Sequence, residues 1–263
     1  MFDLDRQDEQ ALRRQDLLGR LNAFWVIPLM WVLLRVIGRY RIAEIRKTRQ
    51  TAEALRSEAG DRPLLICGNH LTMIDSLLIA WSLASTGRYV VHFDLLPWNM
   101  PELENFGRKL WLRLLCFLGR CIYVERRGTL ASKKRSLAQA HYLLRRGDPV
   151  LIFPEGGRSR TGFVKEETSA TGVGRLLQSL PDLQVLCVYL RGRAQQTYSY
   201  YPRRGEVFDV SLSLFRPTTE LTGGAGAKDL TRKILDRLRE LEGSVSAAPD
   251  EEIPALAGAN RST

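Results

Sequence analysis

The sequence predicts an α/β fold: one domain with a mixed β-sheet flanked by helices, preceded by an N-terminal membrane-associating helical segment. From Pro63 onward, short β-branched runs alternate with stretches of helical pattern, the element order an α/β layer architecture requires. With 44% apolar residues in a chain of 263, there is enough apolar surface to bury one large core. The run AFWVIPLMWVLL at 23–34 predicts the segment in front.

The chain opens with a charged stretch at 3–14 that lacks the apolar core and small-residue cleavage site of a signal peptide. The protein is therefore expected on the cytoplasmic side. The apolar run continues past Arg35 to Ile37, short of the roughly 20 residues a spanning helix needs and interrupted by Pro28 and Arg35. Arg20, Arg35, Arg39 and Arg41 flank it, and Trp25 and Trp31 favour the headgroup region. Residues 23–37 read as a monotopic or re-entrant anchor on the cytoplasmic face of a membrane; a buried core helix is the alternative.

Strands are expected at 64–67, 89–93, 121–124, 150–153, 185–190 and 207–214, with helices near 76–85, 102–118, 132–145 and 171–179. Gly223, Gly224 and Gly226 predict a flexible joint before an amphipathic helix at 228–241, with Leu230, Ile234, Leu238 and Leu241 on one face. Beyond Gly243 the Ala, Pro, Ser and acidic residues carry too little apolar surface to fold, so a disordered tail is expected. The divisions are 1–60, an N-terminal helical segment; 61–220, the α/β core; 221–242, a C-terminal helix; and 243–263, the tail.

Thirty-nine Lys and Arg against 29 Asp and Glu give a formal charge of +10, which favours an anionic partner: a bilayer, a phosphorylated substrate, an acidic carrier protein or nucleic acid. No nucleic-acid partner is expected, because aromatics are not interleaved with basic residues on a strand platform and no binding motif appears. Cys67, Cys116, Cys121 and Cys187 lack C-x-x-C spacing and sit in apolar runs, so buried free thiols in a reducing compartment are expected. No metal site and no cofactor are expected.

Two constellations carry chemistry. The first is Asn69-His70-Leu71-Thr72-Met73-Ile74-Asp75, directly after the strand LLIC and Gly68. Five residues along a helix rotate by about 500°, so His70 and Asp75 meet only if the chain turns between them. A loop leaving the strand at His70, with Asp75 in the first turn of the next helix, satisfies this. A carboxylate on one imidazole nitrogen fixes the tautomer and leaves the other to take a proton from a hydroxyl; a capping interaction without chemistry is the alternative. His92, in an expected strand, and His141, in an expected basic helix, have no acidic residue at a suggestive spacing.

The second is Phe153-Pro154-Glu155-Gly156-Gly157-Arg158-Ser159-Arg160, at the end of the strand VLIF. Ligands bind at strand ends in such sheets, two glycines admit a phosphate close to the backbone, and Arg158 and Arg160 offer forked donors. Glu155 is expected to hold an arginine or the loop in place.

Together, in type, order and separation, these motifs resemble the 1-acylglycerol-3-phosphate O-acyltransferase family, whose signatures include N-H-x-[ST]-x-x-D and F-P-E-G-[TG]-R-S. Between them, Gly119-Arg120-Cys121-Ile122-Tyr123-Val124-Glu125-Arg126 is similar to a further signature, an apolar strand ending in an arginine linked to acceptor binding, here Arg126. The resemblance covers residues 60–195. Two departures stand out: Leu186-Cys187-Val188-Tyr189-Leu190-Arg191 lacks the proline of the fourth signature, and Lys165-Glu166 replaces a lysine-glycine step. Both segments shape substrate sites in the family, so the departures bear on substrate identity. Tyr189, Arg191 and Arg193 either extend the headgroup site or face water.

The resemblance implies a catalytic pair, His70 and Asp75, and an acceptor site formed or supported by Asn69, Arg126, Glu155, Gly156, Arg158 and Ser159. It implies transfer of an acyl group from acyl-CoA or acyl-carrier protein to a hydroxyl of a phosphate-bearing lysolipid, most simply 1-acylglycerol 3-phosphate, giving phosphatidic acid at a membrane. Glycerol 3-phosphate, a lysophospholipid or a lyso-aminolipid are alternative acceptors. A basic, non-catalytic module docking on anionic lipid is the alternative of another class. The apolar surfaces at 110–118 and 77–81 are expected to be core, with accommodation of the acyl chain as the second reading.

Overall fold

The computed structural model describes residues 2–166, 168 and 170–246. Helix α1 spans Arg6–Val32 and runs on as a π-helical turn, Leu33–Ile37. Then come β1 (Arg41–Ile42), α2 (Ile45–Ala59), β2 (Leu64–Gly68), α3 (Asp75–Leu83), α4 (Thr86–Val91) and β3 (Trp98–Asn99). Short α5 (Leu103–Phe106) precedes α6 (Leu110–Leu118), α7 (Leu130–Arg145), β4 (Val150–Ile152) and α8 (Gly172–Ser179). The chain closes with β5 (Gln184–Gly192), β6 (Val207–Phe215) and α9 (Gly223–Ser246).

The six strands form one mixed sheet in the order β1-β6-β5-β2-β4-β3, as the sequence predicts for its fold class. Neighbours β5, β2, β4 and β3 are parallel, and the antiparallel pair is β5 with β6. Central strands of this kind are covered on both faces and so are apolar throughout rather than alternating. In β2, Leu65 and Cys67 enter one core with residues of α7, α8 and α9, while Leu64 and Ile66 enter the other with Ala52 of α2 and Leu78 and Ile79 of α3. The parallel arrangement brings the carboxyl ends of β2, β4 and β3 to one edge, where His70, Phe153 and Met100 follow.

Several local expectations change. Residues 89–93 are not a strand: Ser85 caps α4 by accepting the Arg88 N–H at 3.2 Å, and the buried Tyr89 donates its hydroxyl to the Ala80 carbonyl at 2.7 Å. Five residues, four of them apolar, are too few for periodicity to separate the two states. His92 is consequently the residue that ends α4. Residues 121–124 pair only at Asn99↔Cys121 and Glu102↔Val124, a broken ribbon beside β3. The expected helix at 102–118 is divided into α5 and α6. The two-residue strands β1 and β3 carry no periodic signal by which a sequence could announce them.

All four cysteines are free, but only Cys67 and Cys187 are buried; Cys116 and Cys121 are partly exposed. Gly223, Gly224 and Gly226 lie inside α9 rather than forming a joint, and Leu230, Ile234 and Leu238 face the core. The same helix carries residues 243–246, so the expected tail does not begin at 243; residues 247–263 lie outside the described ones.

The N-terminal segment is longer than the apolar run suggests. Asp5 caps α1 through the Asp8 N–H at 2.7 Å, so the charged stretch is helical too. Pro28 lies within the helix; one proline removes one hydrogen bond and leaves its neighbours to carry the chain through. Residues Arg6–Ile37 form a helix long and apolar enough, by length and composition, to cross a membrane, with 28% of its apolar window buried. Leu12, Ala23, Val26 and Ile27 pack inward, while Leu21 and Phe24 are more than 60% exposed. Helix α6, against which α1 packs, departs from the expectation of core. Its Leu110, Trp111 and Leu114 are exposed and only Leu118 is buried.

Candidate active site

The site begins where β2 ends. Asn69 is locked to β5 by a reciprocal pair: its Nδ2 donates to the Leu190 carbonyl at 2.9 Å, and its Oδ1 accepts the Leu190 N–H at 2.8 Å. Asn69 is thus a buried brace that fixes where the chain leaves the sheet. The turn at 71–74 then brings Asp75, the first residue of α3, back onto His70. Asp75 Oδ2 meets His70 Nδ1 at 3.0 Å and accepts the N–H groups of Leu71 at 2.6 Å and Thr72 at 2.7 Å. Its Oδ1 accepts the Thr72 hydroxyl at 2.5 Å. A buried carboxylate with four donors is well satisfied, and it holds both the turn and the imidazole.

On its other side the His70 ring stacks on Phe153, centroids 4.1 Å apart and planes 14° from parallel. Phe153 belongs to the second constellation, so the two motifs meet through this contact. They also meet through Glu155, whose Oε1 accepts the His70 N–H at 2.8 Å while Oε2 accepts the Lys165 N–H at 3.3 Å. Glu155 holds the loop as expected, but through backbone donors rather than an arginine. Burial is the main influence on its carboxyl and pushes the pKa up to about 7, against the pull of those two N–H groups and the Lys165 charge. Lys165 is lowered in turn, by burial first, and its Nζ donates to the Gly157 carbonyl at 2.8 Å.

Gly156 adopts φ +66°, a left-handed conformation that favours glycine, and a Cβ there would lie 2.8 Å from that of Ala170. At Gly157 a Cβ would meet Arg126 Nη1 at 3.0 Å, which places that guanidinium over the glycine turn. Arg126 Nε also lies 3.7 Å from Glu102. Ser159 is buried and donates its N–H to the His70 carbonyl at 2.8 Å. Arg160 is exposed. Arg158 lies against Tyr198 and Tyr200, its Cζ 4.9 Å from each ring centroid.

The structure thus gathers His70, Asp75, Glu155 and Ser159 into one hydrogen-bonded unit, with Gly156 in the adjacent turn and Arg126 over it. Tyr189, Arg191 and Arg193 neither extend that unit nor simply face water. Tyr189 is buried and donates its hydroxyl to Glu242 at 3.0 Å; Arg191 donates to the Gly162 carbonyl at 3.1 Å; Arg193 pairs with Asp209 at 2.9 Å. Phe153, Tyr198, Tyr200 and Glu242 have no part that sequence reasoning assigns. Of these only Phe153 carries a signal, its place at the head of the second motif. Among the described residues no group of three or more His, Cys, Asp and Glu side chains is placed to hold a metal ion.

The site is thus a histidine oriented by a buried carboxylate at the strand ends of an α/β sheet, beside a glycine turn overlaid by arginine, the place where ligands bind in such sheets. Residues 39–205 match the family model Acyltransferase, and the chain belongs to that family, the family of the 1-acylglycerol-3-phosphate O-acyltransferases. The protein is an acyltransferase. A search of curated proteins returns no match to the chain.

Proposed function

We propose that the protein moves a fatty acyl group from acyl-CoA or acyl-carrier protein to the free hydroxyl of 1-acylglycerol 3-phosphate, giving phosphatidic acid. The observation that carries this reading is the direct attachment of the His70–Asp75 pair to the basic glycine turn through Phe153 and Glu155. A base and an anion site built as one unit suit an acceptor whose hydroxyl and phosphate are a few bonds apart.

With Nδ1 held by Asp75, His70 Nε2 is the nitrogen left to accept the hydroxyl proton; the tautomer follows from the hydrogen-bond network. As that proton leaves, the hydroxyl oxygen attacks the thioester carbonyl. The new C–O bond forms, the C–S bond breaks, and the proton passes from His70 to the departing thiolate. Asp75 stabilises the imidazolium in between, and no covalent acyl-enzyme and no cofactor are required. Arg126 and Arg158 supply the charge for the acceptor phosphate, with Glu155, Gly156 and Ser159 shaping the turn that presents them.

The exposed apolar face of α1, flanked by Arg20 and Arg35, suits a helix lying in the headgroup region of a membrane on its cytoplasmic side. The lipid acceptor would then reach the site from that surface.

The test is acyl transfer to 1-acylglycerol 3-phosphate in liposomes, with each donor in turn and His70→Ala as control. Activity that disappears in the variant supports the reading. A variant as active as the parent protein refutes the mechanism, and activity confined to an acceptor without phosphate refutes the substrate.

A further inference from the structure

We propose that Tyr198 and Tyr200 are specificity-determining residues of the acceptor site, holding the Arg158 guanidinium in place for a phosphate monoester; this rests on the phosphate reading above. Both lie outside the motifs that carry the family resemblance, in the segment TYSYYPRR at 197–204.

Three observations place them there. First, the segment is tied to the catalytic turn itself. The Met73 N–H donates to the Tyr200 carbonyl at 3.1 Å, and the Ser199 N–H donates to the Leu71 carbonyl at 3.3 Å. The tyrosines are therefore positioned by the same four-residue turn that joins His70 to Asp75. Second, the rings converge on Arg158. Their centroids lie 5.8 Å apart with planes 59° from parallel, and each is 4.9 Å from Arg158 Cζ. At those distances the guanidinium sits in the corner between two rings rather than sandwiched by them, so the rings cover it from one quarter only. Third, Arg158 Nη1 is buried and has no hydrogen-bond partner among the described residues. An enclosed, charged donor without an acceptor is costly, and a phosphate oxygen is the acceptor that satisfies it.

The chemistry of the cup sets its preference. Ring faces attract the cation without neutralising it, whereas a carboxylate partner would cancel the charge. Arg126 shows the contrast, with Glu102 3.7 Å from its Nε. An arginine held by aromatics retains its full charge for a doubly ionised phosphate, and Ser159, bonded to the His70 carbonyl at 2.8 Å, keeps the adjacent backbone in register with the base. Without the rings the guanidinium is free to swing toward water, and preference for the monoester over a phosphodiester headgroup falls.

The experiment pairs Tyr198→Leu/Tyr200→Leu with Tyr198→Phe/Tyr200→Phe in the full chain. Tyr200 is 59% exposed, so the single Tyr200→Leu protein is the variant that spares the core. Binding of glycerol 3-phosphate is followed by phosphorus NMR, and kinetics are run with 1-acylglycerol 3-phosphate and a lysophospholipid bearing a phosphodiester. The Leu variants are expected to bind glycerol 3-phosphate about tenfold more weakly and to raise the acceptor KM with kcat retained, while the Phe variants stay within about twofold because the ring faces remain. Three results each overturn the proposal: Leu variants that bind as the parent does, Phe variants as weak as Leu, or a parent protein that binds no phosphate. A parent that binds glycerol 3-phosphate but does not acylate 1-acylglycerol 3-phosphate counts against the proposed function instead and leaves the tyrosine assignment standing.

Discussion

The His70 imidazole lies flat against Phe153, 4.1 Å between centroids, while its Nδ1 faces Asp75 Oδ2 at 3.0 Å. The ring is thus fixed in plane by stacking and in rotation by a hydrogen bond. Phe153→Ala removes the first restraint only. The expected result is a kcat lowered about tenfold or more, with a smaller change in acceptor KM, since misorientation costs the transition state more than the ground state. Steady-state kinetics with circular dichroism as a fold check decide it; an unchanged kcat would show that Asp75 alone orients the base.

Asp75→Asn removes charge while nearly preserving shape. The amide can no longer stabilise an imidazolium, although its carbonyl oxygen can still accept the Leu71 and Thr72 N–H groups with the NH2 turned to the Thr72 hydroxyl. Turnover is expected to fall by about 100-fold or more. Asp75→Glu, which keeps the charge but not the reach, should also be impaired. If the Asp75→Asn protein turned over at near the parent rate, Asp75 would be a cap and not part of the proton transfer.

Glu155 links stability to pH. Burial pushes its pKa up to about 7, above the usual 4.3 or so of a free glutamate. Between about pH 4.5 and 7 the folded protein therefore keeps a proton that the unfolded chain has released, so stability declines as pH rises through that window and levels off above it. The decline is on the order of 3 kcal/mol at 1.36 kcal/mol for each pH unit between the two pKa values. Glu155→Gln removes this dependence. Urea midpoints from pH 5 to 8 should fall more steeply in the parent than in the variant; parallel curves would contradict the assignment.

Arg120 is expected to dock α1. It is fully buried at φ +56°, with Nη2 2.5 Å from Asp16 of α1 and 3.3 Å from Asp148, Nη1 2.9 Å from the Leu96 carbonyl, and its Cζ over Phe93 and Trp98. Arg120→Met removes the fully buried cation and leaves Asp16 and Asp148 to Arg146 alone, a loss expected at about 3 kcal/mol, the low end for breaking a buried pair. Urea unfolding measures it directly, and a loss below about 1 kcal/mol, the range of exposed pairs, would mean that the charges are screened by water.

What the sequence disclosed follows from how local each signal is. The strands β2, β4 and β5 are legible because their apolar runs are continuous and bounded by turn residues, β6 because apolar and polar residues alternate along it, and the His70–Asp75 contact is legible because both ends lie within seven residues of one motif. Arg120 illustrates the opposite case. Nothing in its neighbours Gly119 and Cys121 signals burial, which comes from residues distant in the chain: Asp16 of α1, 104 positions earlier, Asp148, and the rings of Phe93 and Trp98. Likewise α6 has an apolar composition that suggests core, yet among the described residues it packs mainly on α1 and α5 and its Leu110, Trp111 and Leu114 are left exposed. The tyrosine segment gives no sign, since its relation to Arg158 arises from a backbone pairing between residues 71–73 and 199–200.

The same long-range logic yields a last prediction, at the far end of the chain. Glu242 on α9 accepts the Tyr189 hydroxyl at 3.0 Å and the Val164 N–H at 3.3 Å, and lies 3.9 Å from Arg191 Nη1. It therefore fastens the loop between Glu155 and Lys165 to the end of β5 from outside the matched region, which ends at residue 205. Glu242→Ala leaves the buried Tyr189 hydroxyl without its acceptor and with Arg191 as its remaining partner, at a stability cost of about 1 kcal/mol. It also loosens the loop that carries Arg158. Because the His70 ring is held by Asp75 and Phe153, and the loop reaches His70 only through its backbone, the expected signature is an acceptor KM raised several-fold with a smaller change in kcat. Tyr189→Phe removes the donor together with its need for a partner and should cost less stability. A Glu242→Ala protein whose kcat collapses while KM stays constant would show that α9 supports the base and not the anion loop.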